Sequence, residues 1–399
     1  MAAHCRNDRL ARLLSYEYRR LSGSITQFMP ESISPTARRS LLVNNTPLID
    51  VRAPIEFARG SIPSAVNLPL LDDAQREAVG KRYRQAGQDA AVRLGHELIS
   101  GALRDSRLAQ WSEFVEAHGD AAIFCYRGGL RSATVQQWLK ELGLHVPRIA
   151  GGYKALRSFL VNTLAEVADT TPLLLVAGKT GCAKTDLVNR LSPAVDLEGL
   201  ANHRGSAFGR RVSPQPAQAD FENALAVALL RLPWEETERL VLEDEGRAIG
   251  SLSVPMALFR RMQQAPIAII EKALPARVDT VLHAYVKGNY SDYHSTAGIR
   301  AEQEFSNYLH DSLKRIQKRL GVDLFREIRS DLDNALHSHL QGQGIDAHKI
   351  WIEKLLRLYY DPMYEYQLEK KLHRIVFRGN SEEFLHWISG LRLVRAGAA

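Results

Sequence analysis

The sequence predicts an α/β chain, with two α/β units in succession followed by a mostly helical C-terminal region. Three observations carry that class. Short apolar runs, Pro47-Leu48-Ile49-Asp50-Val51, Ala121-Ala122-Ile123-Phe124 and Leu173-Leu174-Leu175-Val176-Ala177, have the length and bounding turns of buried parallel strands. Two of them run into glycine-bearing loops, 125–132 and 178–185, behind which helical spacing begins. Beyond about residue 275 the pattern turns mostly helical, with polar, tyrosine-bearing and basic faces.

Taken in order, residues 1–35 read as a basic leader that need not be ordered. A start codon misassigned ahead of Met29 is the plain alternative to translation of residues 1–28. Residues 36–168 form the first unit, in which the strand 121–124 enters the cysteine loop and the helix from Thr134 stops at Gly143. Asp169-Thr170-Thr171-Pro172 reads as a linker. Residues 169–275 form the second unit, with a helix opening at Lys184 and a later strand, Arg239-Leu240-Val241-Leu242, ending in Glu243-Asp244-Glu245. Residues 276–399 are the helical region, and no internal repeat is visible.

Composition narrows the function classes. At 399 residues with 45% hydrophobic and 24% charged side chains, the chain is neither disordered nor fibrous and has room for two or three domains. Lys plus Arg number 52 against 45 Asp plus Glu, a net charge of +7, which permits an anionic partner such as RNA without demonstrating one. Cys5, Cys125 and Cys182 form no CxxC pair, which argues against a disulfide framework and a thiolate zinc site, and no metal site is expected. Apolar stretches fall far short of the roughly 20 residues of a membrane span, and Arg6, Asp8, Arg9 and Arg12 do not suit a secretory signal. A cytoplasmic protein with no membrane partner is the expectation.

Cys125 stands where a strand ends and a loop with Gly128 and Gly129 turns into a helix, so backbone N–H groups and the helix dipole point toward its sulfur. With Arg127 and Arg131 nearby, that environment favours a thiolate and makes an anion cradle. Two chemistries share the pattern, chalcogen transfer through a persulfide and phosphate-ester hydrolysis through a phosphocysteine. A small buried cysteine at a strand end is the ordinary alternative.

Gly178, Gly181, Lys184 and Thr185 follow a Walker A pattern with Ala183 in place of its second glycine. Backbone N–H groups would cradle phosphates, Lys184 would neutralise them and Thr185 could hold Mg²⁺, while the Ala183 methyl group could crowd the loop. Asp244 after the apolar strand is a candidate metal or water orienter. The segment 196–210, rich in glycine and carrying Arg204 and Arg210, suits a mobile loop that grips anions, with His203 a polar contact rather than a metal ligand. Cys182, inside the phosphate loop, reads as a small filler more than a partner thiol for Cys125. Tyr359 and Tyr360 beside Lys370, Lys371 and Arg374 could stack splayed bases and neutralise phosphates, although solvated helix faces would show the same residues.

Ile49-Asp50-Val51-Arg52, Glu56-Phe57 and Gly60-Ser61-Ile62-Pro63-Ser64-Ala65-Val66-Asn67, ahead of the cysteine, resemble the rhodanese family, which favours a chalcogen carrier at Cys125; the loop length is also that of rhodanese-related phosphatases. Joined to Gly151-Gly152-Tyr153-Lys154-Ala155-Leu156-Arg157, the 196–209 block, Leu242-Glu243-Asp244-Glu245 and Tyr359-Tyr360-Asp361-Pro362-Met363-Tyr364, they make the stretch from about Thr46 to Trp387 resemble the bacterial tRNA 2-selenouridine synthase family. That resemblance implies a rhodanese-like domain and a P-loop NTPase-like domain, and the mostly helical C-terminal region, with its tyrosines and cations, is the candidate for tRNA binding. It implies geranylation of the wobble 2-thiouridine of tRNA from geranyl diphosphate, then replacement of the S-geranyl group by selenium from selenophosphate, supplied by another enzyme. Under it, Cys125 carries selenium, Arg127 and Arg131 assist, and the phosphate loop with Arg204 holds diphosphate, with Mg²⁺ where required. Two other classes stay open: an ATP-dependent tRNA sulfurtransferase, and a non-catalytic RNA-binding or redox-sensing protein.

Overall fold

A computed structural model describes residues 31–233 and 239–393, so most of the expected leader lies outside the described residues. The first sheet contains β1 (Ser32–Ile33), β2 (Leu48–Asp50), β3 (Ala65–Asn67), β4 (Ala122–Phe124) and β5 (Arg148–Ile149), in the order β1-β5-β4-β2-β3. Every pairing is parallel, with Leu48 opposite Ala122 and Asp50 opposite Phe124. Burial on both faces explains the uninterrupted apolar runs of its central strands. Because β1 pairs with β5, residues 32–33, assigned by sequence to the leader, belong to this sheet.

Two long helices, Asp73–Leu98 and Gly101–Ala117, connect β3 to β4. The first opens with a capping box, in which Asp72 accepts from the Gln75 N–H at 2.8 Å and Gln75 accepts from the Asp72 N–H at 3.0 Å. It breaks at Gly87, whose φ of 78° lies in the left-handed region.

The second unit follows with β6 (Leu173–Ala177), β7 (Ala194–Val195) and β8 (Leu240–Glu243), a small antiparallel pair β9 (Ala248–Ile249) and β10 (Leu252–Ser253), then β11 (Ile267–Ile270) and β12 (Ile375–Gly379). Its five-stranded sheet is parallel in the order β12-β11-β6-β8-β7. The strand β12 comes from the region expected to be helical, so the chain returns from the helices to complete this sheet. Those helices include Ala301–Leu320, Val322–Leu340 and His348–Leu355, packed around Phe305, Leu309, Ile328, Leu332 and Trp351.

The expected linker is not a loose connection. Helix Gly152–Thr170 runs to the second unit, and only Thr171 and Pro172 separate it from β6. Its Leu156, Leu160, Leu164 and Val167 fall on one face at helical spacing and join a single buried cluster that contains Leu48 and Phe124 from the first sheet and Leu175 and Leu242 from the second. Polar contacts reinforce the junction: Asp220 accepts from the Ser61 N–H and hydroxyl at 2.5 and 2.7 Å, Asn223 donates to the Ser61 carbonyl at 2.6 Å, and Arg157 bonds Glu222 and Asn223. No helix among the described residues is long and apolar enough to cross a membrane.

Candidate active site

The phosphate loop leaves β6 and passes into helix Lys184–Val188. Gly181 has φ 88°, and a Cβ there would stand 2.7 Å from the Arg277 carbonyl oxygen, so glycine is required for both shape and space. Ala183 takes the left-handed conformation, φ 60° and ψ 40°, with its methyl group in place of the missing glycine. The Lys184 ammonium donates to the Gly178 carbonyl at 3.1 Å. Arg277, almost fully buried, braces the loop by donating to the Thr180 carbonyl at 3.2 Å while forming a two-pronged pair with Asp361 at 2.8 and 2.6 Å.

Beside the loop lies a carboxylate cluster that the sequence placed one residue off. Asp244 is taken up by Lys371, at 2.8 and 2.9 Å, and does not face Thr185. The acid next to Thr185 is Glu243, fully buried at the end of β8, which accepts from the Thr185 hydroxyl at 2.6 Å and from the Glu198 N–H at 3.2 Å. Burial first, then repulsion among Glu198, Glu243 and Glu245, pushes the carboxyl groups of Glu198 and Glu243 up to about 8; burial and Glu243 push Glu245 up to about 7. Raised in this way, the cluster subtracts less from the positive charge around it than three freely ionised carboxylates would.

A cavity of about 900 Å³ opens over this loop. Its walls bring together Gly178, Gly181, Lys184, Thr185, Arg204 and Asp244 with Tyr360, Lys370, Lys371 and Arg374, two sets that the sequence assigned to different ligands. Several of the latter are already engaged. Tyr360 is 8% exposed and belongs to the helical core, and Arg374 is buried and donates to the Ala265 and Met262 carbonyls at 2.8 and 2.6 Å. Neither stands free to stack a base or hold a phosphate. Lys370 lies 4.0 Å over the Tyr366 ring, and Tyr359 packs against the helical core edge-on to Tyr360. Arg204, Arg211 and Arg319, which also line the cavity, form no ion pair with a carboxylate of the described residues.

The segment 196–210, expected as a free loop, is held by contacts along its length. Arg204 and Gly209 bond through their backbones at 2.9 Å, Arg204 donates to Asn289 at 2.7 Å, and Phe208 is buried against Trp351 with ring centroids 5.4 Å apart. These contacts fix Arg204 at the cavity wall. Burial pushes the His203 imidazole down, with Arg315, Arg211 and Arg204 adding to it, so it is neutral at pH 7. Cys182 is buried and its thiol is pushed up by burial, which keeps it protonated.

In the other unit, Cys125 directly follows β4 with 3% of its surface exposed and its Sγ 3.3 Å from the Ser132 hydroxyl. The N-terminus of helix Gly152–Thr170 locks this loop: the Tyr153 and Lys154 N–H groups donate to the Cys125 and Tyr126 carbonyls, both at 2.9 Å. A Cβ on Gly152 would stand 2.1 Å from the Cys125 carbonyl oxygen. Arg131 does not reach out as an anion clamp, because Glu56 holds its guanidinium through both oxygens. Burial alone would raise the Glu56 carboxyl, but Arg131 outweighs it and holds that group below the usual carboxylate range. Arg127 lies outside this pair, 6.0 Å from the Tyr126 ring centroid. Arg52 is structural, buried with Asp50 at 2.6 Å and stacked 3.8 Å over Tyr153.

The family description "tRNA 2-selenouridine synthase AAA domain" matches residues 171–393, and "Rhodanese-like domain" matches residues 36–158. The tRNA 2-selenouridine synthase of Shewanella oneidensis is 46% identical over 354 residues, 88% of this chain and 94% of that protein. Its counterpart in Serratia proteamaculans is 48% identical over 346 residues, covering 86% and 93%. That of Pseudomonas aeruginosa strain LESB58 is 45% identical over 359 residues, covering 90% and 97%.

Proposed function

This chain belongs to the tRNA 2-selenouridine synthase family, and on that premise we propose that its two loops divide a two-step modification of tRNA between them. In the first step the sulfur of a wobble 2-thiouridine attacks C1 of geranyl diphosphate, forming the S–C bond as diphosphate leaves. The observation that carries this is the cavity over the phosphate loop, where Lys184, Arg204, Arg211 and Arg319 present positive charge that no described carboxylate pairs. Lys184 and the loop N–H groups would hold the diphosphate and stabilise its charge as it departs.

Thr185 and Glu243 offer hard oxygen donors of the kind Mg²⁺ takes. Among the described residues no group of three His, Cys, Asp or Glu is arranged to hold a metal alone, so Mg²⁺ would also need diphosphate oxygens. Bound there, it would neutralise the leaving group.

In the second step C2 exchanges sulfur for selenium beside Cys125. The S-geranyl nucleoside, hydrogen selenophosphate and water give 2-selenouridine, geranylthiol and hydrogen phosphate. Selenium stays at the selenide level throughout. Cys125 as a nucleophile that adds to C2, expels geranylthiolate and is itself expelled by selenium needs no reductant. A perselenide on Cys125 needs a two-electron donor to release its selenium.

Nucleoside mass spectrometry of 2-thiouridine tRNA incubated with geranyl diphosphate and then selenophosphate tests the assignment. Lys184→Ala is expected to lose geranylation and Cys125→Ala to lose selenation of pre-geranylated tRNA. Unchanged tRNA with wild-type protein under both donors refutes it, and sulfur incorporation that depends on ATP points to the sulfurtransferase instead.

A further inference from the structure

We propose that an apolar pocket on the first unit, next to the Cys125 loop, holds the isoprenoid chain of the S-alkylated nucleoside while C2 exchanges its sulfur. This rests on the two-step assignment above and adds a binding site to it.

The pocket measures about 460 Å³ and lies between helix Asp73–Leu98 and the helix that follows the cysteine loop, Leu130–Glu141. Leu70, Leu71, Val79, Val92, Ile99 and Trp138 form its walls. It is open to solvent: Tyr83 and Leu130 at its edge are 56% and 54% exposed.

Its position connects it to the chemistry. Leu70, Leu71, Ile99 and Trp138 share one buried cluster with Cys125 itself, so the pocket wall and the sulfur are parts of the same packed layer. Leu130 and Arg131, five and six residues after Cys125, form the pocket side nearest the loop. Arg131 would make that wall cationic and hostile to hydrocarbon, but Glu56 neutralises it, and Glu56 also lines the pocket. The pairing that removes Arg131 as an anion clamp thus also removes its bare charge from the wall nearest the loop, while Arg76 and Arg84 keep the charge to the outer rim.

A second hollow, bordered by another residue of the loop, has the contrary character. Arg127 shares a hollow of about 480 Å³ with Arg38 and Lys154, a surface suited to a phosphate backbone. A nucleotide at the cysteine loop would find its phosphates matched by the cations around Arg127 and a group attached at C2 matched by the apolar pocket beside Leu130. During the exchange the bond from C2 to the alkylated sulfur breaks and its electron pair leaves on sulfur, so the carbon chain must be accommodated within a few bonds of C2. A ten-carbon chain fits a pocket of this size and lining, which falls within the roughly 300–1,000 Å³ of small-molecule sites.

The test uses tRNA whose 2-thiouridine carries an S-linked geranyl analogue with a diazirine at its far end. It is irradiated with the wild-type protein and the adducts are mapped by peptide mass spectrometry. Adducts are expected in residues 73–98 and 130–138, and Val92→Phe or Val79→Phe, each filling the pocket, is expected to cut their yield at least fivefold. Adducts found only in residues 178–211 or 280–374, no adducts at all, or a yield unchanged by both substitutions overturns the proposal. Nucleoside analysis of the same wild-type protein with geranyl diphosphate and selenophosphate separates the two levels. Neither nucleoside formed refutes the two-step function; both formed, with adducts elsewhere, refutes the pocket alone.

Discussion

Replacing Asp361 with alanine isolates the brace on the phosphate loop. The Arg277 side chain is 4% exposed and Asp361 14%, with N–O distances of 2.8 and 2.6 Å. Removing the carboxylate strands a buried guanidinium, a change that costs about 3–5 kcal/mol. With a urea dependence of about 3 kcal/mol per molar, the unfolding midpoint falls by roughly 1 M or more. Stability alone does not show that the pair serves the loop, because any buried ion pair behaves this way. The double variant Arg277→Met with Asp361→Leu separates the two roles. An apolar pair of similar volume restores most of the stability, but nothing then holds the Thr180 carbonyl, which receives the 3.2 Å bond from Arg277. A hydrogen bond from a charged donor contributes about 1.5–3 kcal/mol, so pyrophosphate affinity by titration calorimetry is expected to fall by about tenfold. A loss of less than about 1 kcal/mol for Asp361→Ala means the pair is effectively solvated. Wild-type pyrophosphate affinity in the double variant refutes the brace.

Ala183→Gly relieves a left-handed alanine, a conformation costing roughly 1–2 kcal/mol, and is expected to stabilise the protein by about 0.5 kcal/mol after the added freedom of the unfolded chain is subtracted; an unchanged or lower Tm counts against strain there. Because the Glu198, Glu243 and Glu245 carboxyls sit at about 8, 8 and 7 in the folded chain against roughly 4.3 unfolded, the folded state binds more protons between those limits. Stability from this cluster is therefore full below about pH 4 and is lost as pH rises toward 8, and urea titrations across pH 5–8 are expected to show a flatter fall for Glu243→Gln. Asp220→Ala removes both bonds to Ser61 and is expected to cost about 2–3 kcal/mol, read by urea unfolding; a change under about 0.5 kcal/mol would put little weight on that junction. Gly152→Ala forces a methyl group onto the Cys125 carbonyl and is expected to reduce selenation while leaving pyrophosphate binding in the second unit intact.

Much of this architecture is legible in the residues. The runs that became β2, β4, β6 and β8 announce themselves because buried parallel strands are apolar nearly throughout and run into charged or glycine-bearing turns. The strands β1, β5 and β7 are two residues long and carry no such signal. The last strand, β12, is half-exposed at the sheet edge and lies among helices, so its membership depends on a long-range pairing with β11. The phosphate loop is spelled out locally, whereas the partners of its cations are not: Arg131 meets Glu56 from 75 positions away, and Lys371 meets Asp244 from 127. Charge visible in sequence is not charge available to a ligand. Glu243 had a signal, since the last residue of a strand buried along its whole length points inward where the next one turns out.

The return of the chain through β12 has a consequence for synthesis on the ribosome. The strand β11 is complete by residue 270, but its outer edge is covered only when residues 375–379 have emerged. Throughout the intervening hundred or so residues, roughly 5–20 seconds at about 5–20 residues per second, the nascent second sheet exposes the N–H and C=O groups of Ile267–Ile270 beside an apolar surface. A ribosome that stalls, or a chain that ends, before residue 375 leaves that edge as a template for pairing with another molecule. The helical region must therefore be synthesised before the sheet beneath it can close, which makes the arrival of residues 375–379 a checkpoint for the second unit.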